Sequence, residues 1–350
     1  MTRPGTMPTK DASVIIGVDV GATSLSGGLV TREGEILDVV EQPMHEHGPG
    51  SGVEQLLDVI RDLDARARHR EIEVEGVGAG LPGIVDVDKG MMTGDGGNLV
   101  PEFAKVPITD RIHEVTGLSA FVDNDVNALA LAEYRYGAGR GARSLVVLAL
   151  GTGTGGGIIV NGELMRGRGG YAGEFGHVPV MLNGLPCSCG GHGCMNEYIA
   201  GDALARRAKQ ALPDHPGSKL LALAGGDASA ITTRTIFEAA RAGDALAGAL
   251  VDQASEALGA GLAVILNGLN PDLVVITGSL ATPFLDLEAD LLRRTAKYAF
   301  ARVLADTTIR IVPSSKRETV RGGAALFLYE SERRDGDARG RTTARARRRG

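Results

Sequence analysis

The chain has 350 residues, 43% of them hydrophobic and 23% charged, which supplies enough apolar material for a core at a length that fits two domains. Aromatic residues make up 4% and tryptophan is absent, which excludes a stacking platform for single-stranded nucleic acid. The formal charge is −6, but residues 333–350 hold eight Arg against two Asp, so the remainder carries −12, and an acidic body argues against DNA binding by the folded part.

Residues 1–12 lack the apolar core of a signal peptide and are expected to form a disordered leader. No apolar run reads as reaching the roughly 20 residues of a bilayer span, so a cytoplasmic protein with no membrane partner is expected. Short apolar strands at 14–18 and 25–30 flank a glycine-bearing turn. Val53, Leu56, Leu57, Ile60 and Leu63 are spaced as a helix over 53–70. A strand at 74–81 ends at Pro82-Gly83, a helix covers 108–116, and a strand at 120–122 leads into a helix over 126–136. Residues 137–141 break the pattern, dividing an N-terminal domain (13–137) from a C-terminal one (138–332). The second half opens with a strand at 145–150, a glycine loop, a strand at 158–160 and an Asn161-Gly162 turn. Helices over 201–212, 233–242 and 245–266 follow. A strand at 273–276 meets Thr277-Gly278-Ser279, and a helix over 285–300, a strand at 309–312 and a closing helix over 322–329 complete the body. Residues 333–350 read as a disordered, solvated basic tail. The alternation is that of an α/β fold, and the unit of strand, glycine loop and second strand recurs near 14–30 and 145–165. Two related halves around a cleft are expected.

Gly151-Thr152-Gly153-Thr154-Gly155-Gly156-Gly157 contains GxGxxG, but a dinucleotide fingerprint requires a helix straight after the loop. Here Ile158, Ile159, Val160 and an Asn-Gly turn follow, the pattern of a β-hairpin. A tip without side chains offers backbone N–H groups to phosphate, or is simply a tight hairpin. No GxxxxGK[ST] is present, which excludes a P-loop nucleotidase. Asp19-Val20-Gly21-Ala22-Thr23 places a carboxylate at a strand end before glycine and a hydroxyl. That set can hold Mg²⁺ with phosphate oxygens, or form a surface turn. In Asp123-Asn124-Asp125-Val126-Asn127, at a strand-to-helix junction, helix capping is the simple reading, yet four polar residues exceed what one cap needs. Phosphoryl transfer to an alcohol needs a carboxylate that accepts the hydroxyl proton. Asp125 is the candidate base and Asn124 a candidate sugar-hydroxyl partner.

All three cysteines, Cys187, Cys189 and Cys194, fall in one eight-residue window. An odd count in a cytoplasmic chain disfavours a disulfide scaffold. With His177 upstream they make up a closed Cys₃His set of the structural zinc type. His192 competes as the fourth ligand, and three unmetallated thiols are the alternative. A metal on His177 would also fix Glu174 nearby.

In order, DVGAT (19–23), GAGLPGIVD (78–86), GNL (97–99), DNDVN (123–127), LGTGTGGG (150–157), EFGH (174–177), CSCGGHGC (187–194) and LNPDLVVITGS (269–279) resemble the ROK family of bacterial sugar kinases and related regulators. The resemblance spans most of the chain and extends to the N-acetylmannosamine kinase branch at the cysteine loop. It implies an α/β, two-domain actin-like ATPase (ribonuclease H-like) fold with an interdomain cleft. It also implies transfer of the γ-phosphate of ATP, with Mg²⁺, to the C6 hydroxyl of a hexose, glucose first. An amino- or acetamido-hexose such as kanosamine or N-acetylmannosamine is the alternative substrate, and a non-catalytic sugar-sensing regulator the alternative function.

Carried over residue by residue, the resemblance makes Asp125 the general base and Asn98, Asn124, Glu174 and His177 sugar contacts. Asp19, Gly21, Thr23, Gly151, Thr152, Gly153 and Thr154 line the phosphates, with Gly278 on the adenosine side. His177, Cys187, Cys189 and Cys194 hold structural Zn²⁺. A homodimer or homotetramer is implied. Repressor members carry an N-terminal helix-turn-helix domain, for which a first strand near residue 14 leaves no room. One departure concerns the substrate: Asn196, followed by Glu197, stands where the family places a sugar-contacting Glu. Asn donates as well as accepts, which points away from plain glucose unless Glu197 swings in. Ser24 and Ser279 are smaller departures, from a frequent Lys and a usual glycine.

Overall fold

The computed structural model describes residues 13–94, 100–313 and 316–347, with side chains of 316, 317 and 337–347 left aside. The expected leader and Asn98 therefore lie outside the described residues. The strands and α-helices in chain order are β1 (Val14–Val20), β2 (Ser24–Thr31), β3 (Ile36–Pro43), α1 (Gly52–His69), β4 (Val74–Leu81), β5 (Val85–Asp86), β6 (Met91–Met92), α2 (Ile108–Thr116), β7 (Ala120–Asn124), α3 (Asp125–Tyr136), β8 (Ser144–Leu150), β9 (Thr154–Val160) and β10 (Glu163–Leu164), then α4 (Asn196–Ile199), α5 (Gly201–Ala211), α6 (Leu220–Leu223), α7 (Thr233–Arg241), α8 (Ala245–Leu269), β11 (Leu273–Thr277), α9 (Thr282–Leu285), α10 (Glu288–Thr295), α11 (Ala301–Asp306), β12 (Thr308–Ile311) and α12 (Lys316–Arg347).

Two compact units result: residues 1–140 with 316–350, and residues 141–315. The first is built on a sheet of order β3-β2-β1-β4-β7, the second on β10-β9-β8-β11-β12. In each, a three-stranded antiparallel meander continues into parallel strands. This is the internal repeat that the sequence carries only faintly. The first core gathers Ile16, Val18, Leu29, Leu56, Ile60 and Leu63, and the second Leu148, Leu150, Ile199, Ile236, Leu258 and Phe284, all with 0% exposure.

Several elements differ from expectation. The closing helix begins at Lys316 and belongs to the first unit, packing on β1, β4 and α3. Its seat depends on glycine: a Cβ on Gly17 would lie 1.9 Å from the Val320 carbonyl oxygen, and one on Gly78 1.9 Å from that of Gly323. The same helix runs through Arg347, where a tail without regular structure was expected; Ala and Arg are strong helix formers once a helix precedes them. β3, unforeseen, is an edge strand of half-buried and exposed residues. The expected helix over 285–300 is broken into short pieces, with Pro283 in the first turn of α9. The run Gly155-Gly156-Gly157 lies inside β9 rather than in the loop.

α8 also corrects the expectation about apolar runs: by length and composition it could cross a membrane. Of its most apolar stretch, 61% is buried inside the fold. There Ala254, Leu258, Leu262, Ile265 and Leu266 line the second core, so it is a core helix.

Candidate functional site

In the first unit, Asp19 pairs with Gly80 and Gly80 with Asp123, so three residues of the parallel strands β1, β4 and β7 share one register row near their carboxyl ends. Open α/β sheets bind ligands at that edge. Asp19 is half-buried one residue before the end of β1. The Gly21 N–H donates to the Ser24 carbonyl (2.9 Å), closing the β1–β2 turn, and Thr23 at its tip is exposed.

At the end of β7, Asn124 is the N-cap of α3. Its Oδ1 accepts from the N–H groups of Val126 (2.9 Å) and Asn127 (3.2 Å), and its Nδ2 donates to the Gly83 carbonyl (3.0 Å). The buried Asp123 accepts from the Asn124 N–H (2.7 Å) and from Asn127 Nδ2 (3.0 Å), clamping the first turn of α3 onto the strand. The capping explanation thus accounts for Asn124, with Asp123 and Asn127 bracing it. Asp125 is left as the half-buried first residue of α3, with Oδ1 accepting from the Val126 N–H (3.0 Å). The fold brings Asp19, Gly21, Thr23, Asn124 and Asp125 to one sheet edge; Asn98 lies outside the described residues.

In the second unit the turn joining β8 and β9 is Gly151-Thr152-Gly153. The Gly151 N–H donates to the Gly153 carbonyl (2.9 Å), and the Gly151 carbonyl accepts from Gly201 (2.9 Å) at the start of α5. Thr152 and Gly153 are exposed. A Cβ on Gly151 or Gly153 would meet nothing nearer than 3.8 Å, so absent side chains leave open space beside backbone, as an anion site requires. Gly278, at φ +96°, sits against β8: a Cβ there would lie 2.3 Å from the Leu150 carbonyl oxygen. Ser279 faces Gly151, its Oγ 3.8 Å from where a Cβ on that glycine would stand.

Asn196 and Glu197, at the start of α4, part company. Asn196 Oδ1 accepts the Thr154 N–H (3.0 Å). Glu197 is buried in an ion pair with Arg206 of α5. Its carboxylate is thus paired within its own unit, away from the Asn196–Thr154 contact. Glu174 precedes a 3₁₀ turn, Phe175–His177, with one carboxylate oxygen 3.9 Å from His177 Nε2. Lost solvation pushes its carboxyl above the ordinary carboxylate range, while His177 pulls the other way.

His177, Cys187, Cys189 and Cys194 bring one donor atom each to within 4.8 Å of one another. The His177 Nδ1 to Cys187 Sγ distance is 3.5 Å, and Cys189 Sγ to Cys194 Sγ is 3.6 Å. A tetrahedral ion with bonds of about 2.3 Å to sulfur and 2.0–2.1 Å to nitrogen has edges of roughly 3.8 and 3.5 Å, so the donor set fits zinc. His192 is exposed and outside the group. Without a cation the thiols resist joint ionisation. Burial pushes Cys194 up to about 12 and raises Cys187, whereas the Gly191 N–H lowers Cys189. His177 turns Nδ1 to the cluster and Nε2 toward Glu174.

Sequence reasoning missed three contributors: the Asp123–Asn127 brace, the close approach at Gly80, and the Asn196–Thr154 bond. The first was signalled by the surplus of polar residues at the junction. The others depend on non-local packing and have no local signal.

Comparison with known proteins places these features in a wider set. The model of the ROK family matches residues 15–330. A glucokinase of Halalkalibacterium halodurans is 34% identical over 90% of this chain and 95% of its own length. A ROK family glucokinase from Streptomyces griseus, solved in complex with glucose and AMPPNP, is 34% identical with a TM-score of 0.71, covering 90% of this chain and 99% of that one. A xylose repressor of Caldicellulosiruptor bescii is 28% identical over 92% of this chain and 79% of its own.

Proposed function

The chain belongs to the ROK family, with its actin-like ATPase fold, and on that premise we propose that it is an ATP-dependent hexose kinase acting on the C6 hydroxyl, glucose first. The observation that carries this reading is the near full-length match to glucokinases; the seat of Asp125, directly after the carboxyl end of β7, supports it as the proposed base. In the proposed reaction the C6 oxygen attacks the γ-phosphorus as Asp125 takes its proton. The bond from that phosphorus to the β,γ-bridging oxygen breaks, and ADP leaves. Such proton acceptance is typically worth about 10²–10⁴ in rate.

Asp19 would hold Mg²⁺, which neutralises phosphate charge when bound. Gly21, Thr23, Gly151, Thr152, Gly153 and Thr154 would receive the phosphates, with Gly278 on the adenosine side. Asn98, Glu174 and His177 would contact sugar hydroxyls. Asn124, whose Oδ1 is used by the cap, would offer only the second hydrogen of its Nδ2. His177, Cys187, Cys189 and Cys194 would hold zinc, which supplies a rigid closed cross-link. Three neighbouring thiols of this kind suit a reducing compartment, which supports a cytoplasmic enzyme; a homodimer or homotetramer is the assembly expected.

The test is ADP release across a panel of glucose, mannose, kanosamine and N-acetylmannosamine, with the product position read by NMR. Glucose turnover giving the 6-phosphate is expected, and Asp125→Asn should lower kcat by at least about 10² while sugar binding persists. Sugar binding without turnover of any hexose would instead support the regulator reading, which the repressor relative keeps in view.

A further inference from the structure

Thr154 is where two independent contacts converge, and none of the roles above explains them. It is the first residue of β9, directly after the glycine turn. Its N–H donates to Asn196 Oδ1 (3.0 Å), two residues after Cys194. Its carbonyl is covered by Gly176, one residue before His177: a Cβ on Gly176 would lie 2.2 Å from that oxygen. Only glycine lets the segment before His177 seat so closely. Two residues along the strand the arrangement repeats, since a Cβ on Gly173 would lie 2.1 Å from the Gly156 carbonyl oxygen. The Met195 N–H donates to the Val178 carbonyl (3.0 Å), joining the two segments to each other. His177 and Cys194, one from each segment, belong to the same four-donor group. Both arms that grip Thr154 are therefore pinned by one cluster.

We infer that Asn196 is a positioning residue for the phosphate turn: it passes the rigidity of the metal-ligand loop to Gly151-Thr152-Gly153 through Thr154, so that nucleotide affinity rather than sugar affinity depends on it. The inference rests on the proposal that this turn receives phosphate. Because Thr154 presents a donor, Asn196 must present its oxygen, which turns one of that oxygen's two lone pairs to the strand.

The test uses full-length, zinc-loaded protein. Hydrogen exchange of residues 151–157 is followed in wild type, Asn196→Ala and Asn196→Asp, and ADP and glucose are titrated separately into wild type and Asn196→Ala. In Asn196→Ala, the Thr154 amide should exchange faster and ADP should bind roughly three- to tenfold more weakly, the scale of one net hydrogen bond, with glucose affinity unchanged. Asn196→Asp keeps an acceptor of the same reach and should restore protection at Thr154. Stripping the metal from wild type should speed exchange at the same amide. The inference is overturned if Asn196→Ala weakens glucose while exchange and ADP binding stay as in wild type, or if exchange at Thr154 ignores the metal. Failure of wild type to bind ADP would count against the kinase reading alone, because the exchange measurements still decide the link from Asn196 to Thr154.

Discussion

A methyl group at residue 80 would lie 3.0 Å from the Cα of Asp125 and 3.4 Å from the Cβ of Ala128. The space between β4 and the first turn of α3 is therefore set by a missing side chain. Gly80→Ala should displace that turn by tenths of an ångström, which is enough to misalign a base without unfolding a helix. We expect kcat to fall about tenfold or more, with a stability loss of about 1 kcal/mol, read by steady-state kinetics and thermal melting. Asn127→Ala acts from the other side. It removes the Nδ2 donor of the buried Asp123 carboxylate, at a cost of roughly 1–3 kcal/mol, and should lower kcat more than it raises the KM for sugar. The surplus of polar residues at this junction was legible in the chain. Which of them caps and which braces was not, because a cap is defined by where the strand ends in space.

Among elements, the stretch 179–193 owes its order to very little apolar burial of its own, most of it being exposed. Gly193 (φ +69°) admits no Cβ beside the Met181 carbonyl, and Met181, Leu182 and Leu185 are exposed. The metal set is then its main cross-link, and Cys194→Ser should abolish stoichiometric zinc and expose residues 178–195 to proteolysis, measured by metal content and limited digestion. Metal binding must displace protons from the thiols. Burial raises Cys187 and Cys194, so apparent zinc affinity should rise with pH and fall steeply on acidification, which competition with a chromophoric chelator would show. The cysteine spacing and His177 were readable in advance. The exclusion of His192 was not, since it depends on how Gly190 and Gly193 turn the chain.

For the whole molecule, the chain end decides the fate of its beginning. Val320, Ala324, Leu326 and Leu328 of α12, the helix that packs on the first sheet, are 0% exposed. Buried side chains of this kind are worth about 1.5–3 kcal/mol each, against a typical total of about 5–15 kcal/mol for a domain. A chain ending at residue 315 should lose the first unit, seen as lost ellipticity and loss of sugar binding. A chain ending at residue 332 should keep both, because it retains the Arg135–Glu332 pair (2.9 Å). Among the described side chains it gives up the Arg334 contact over Phe121 (4.4 Å) and the Arg333 contact over Tyr329 (5.6 Å), each worth roughly 0.5–1 kcal/mol at an exposed site.

Short-range information sufficed wherever a feature is local. The individual strands, the hairpin that rules out a dinucleotide fold, the Asp125 junction and the Cys₃His set each lie within one short stretch with a recognisable period or spacing. Long-range packing settled the rest: α12 joining residues 1–140, Glu197 turning to Arg206, and Asn196 reaching Thr154 across 42 positions. Hydrophobic periodicity tells a segment which face to bury, but the partner it is buried against depends on steric fit at glycines far apart in the chain, and no local pattern encodes that fit.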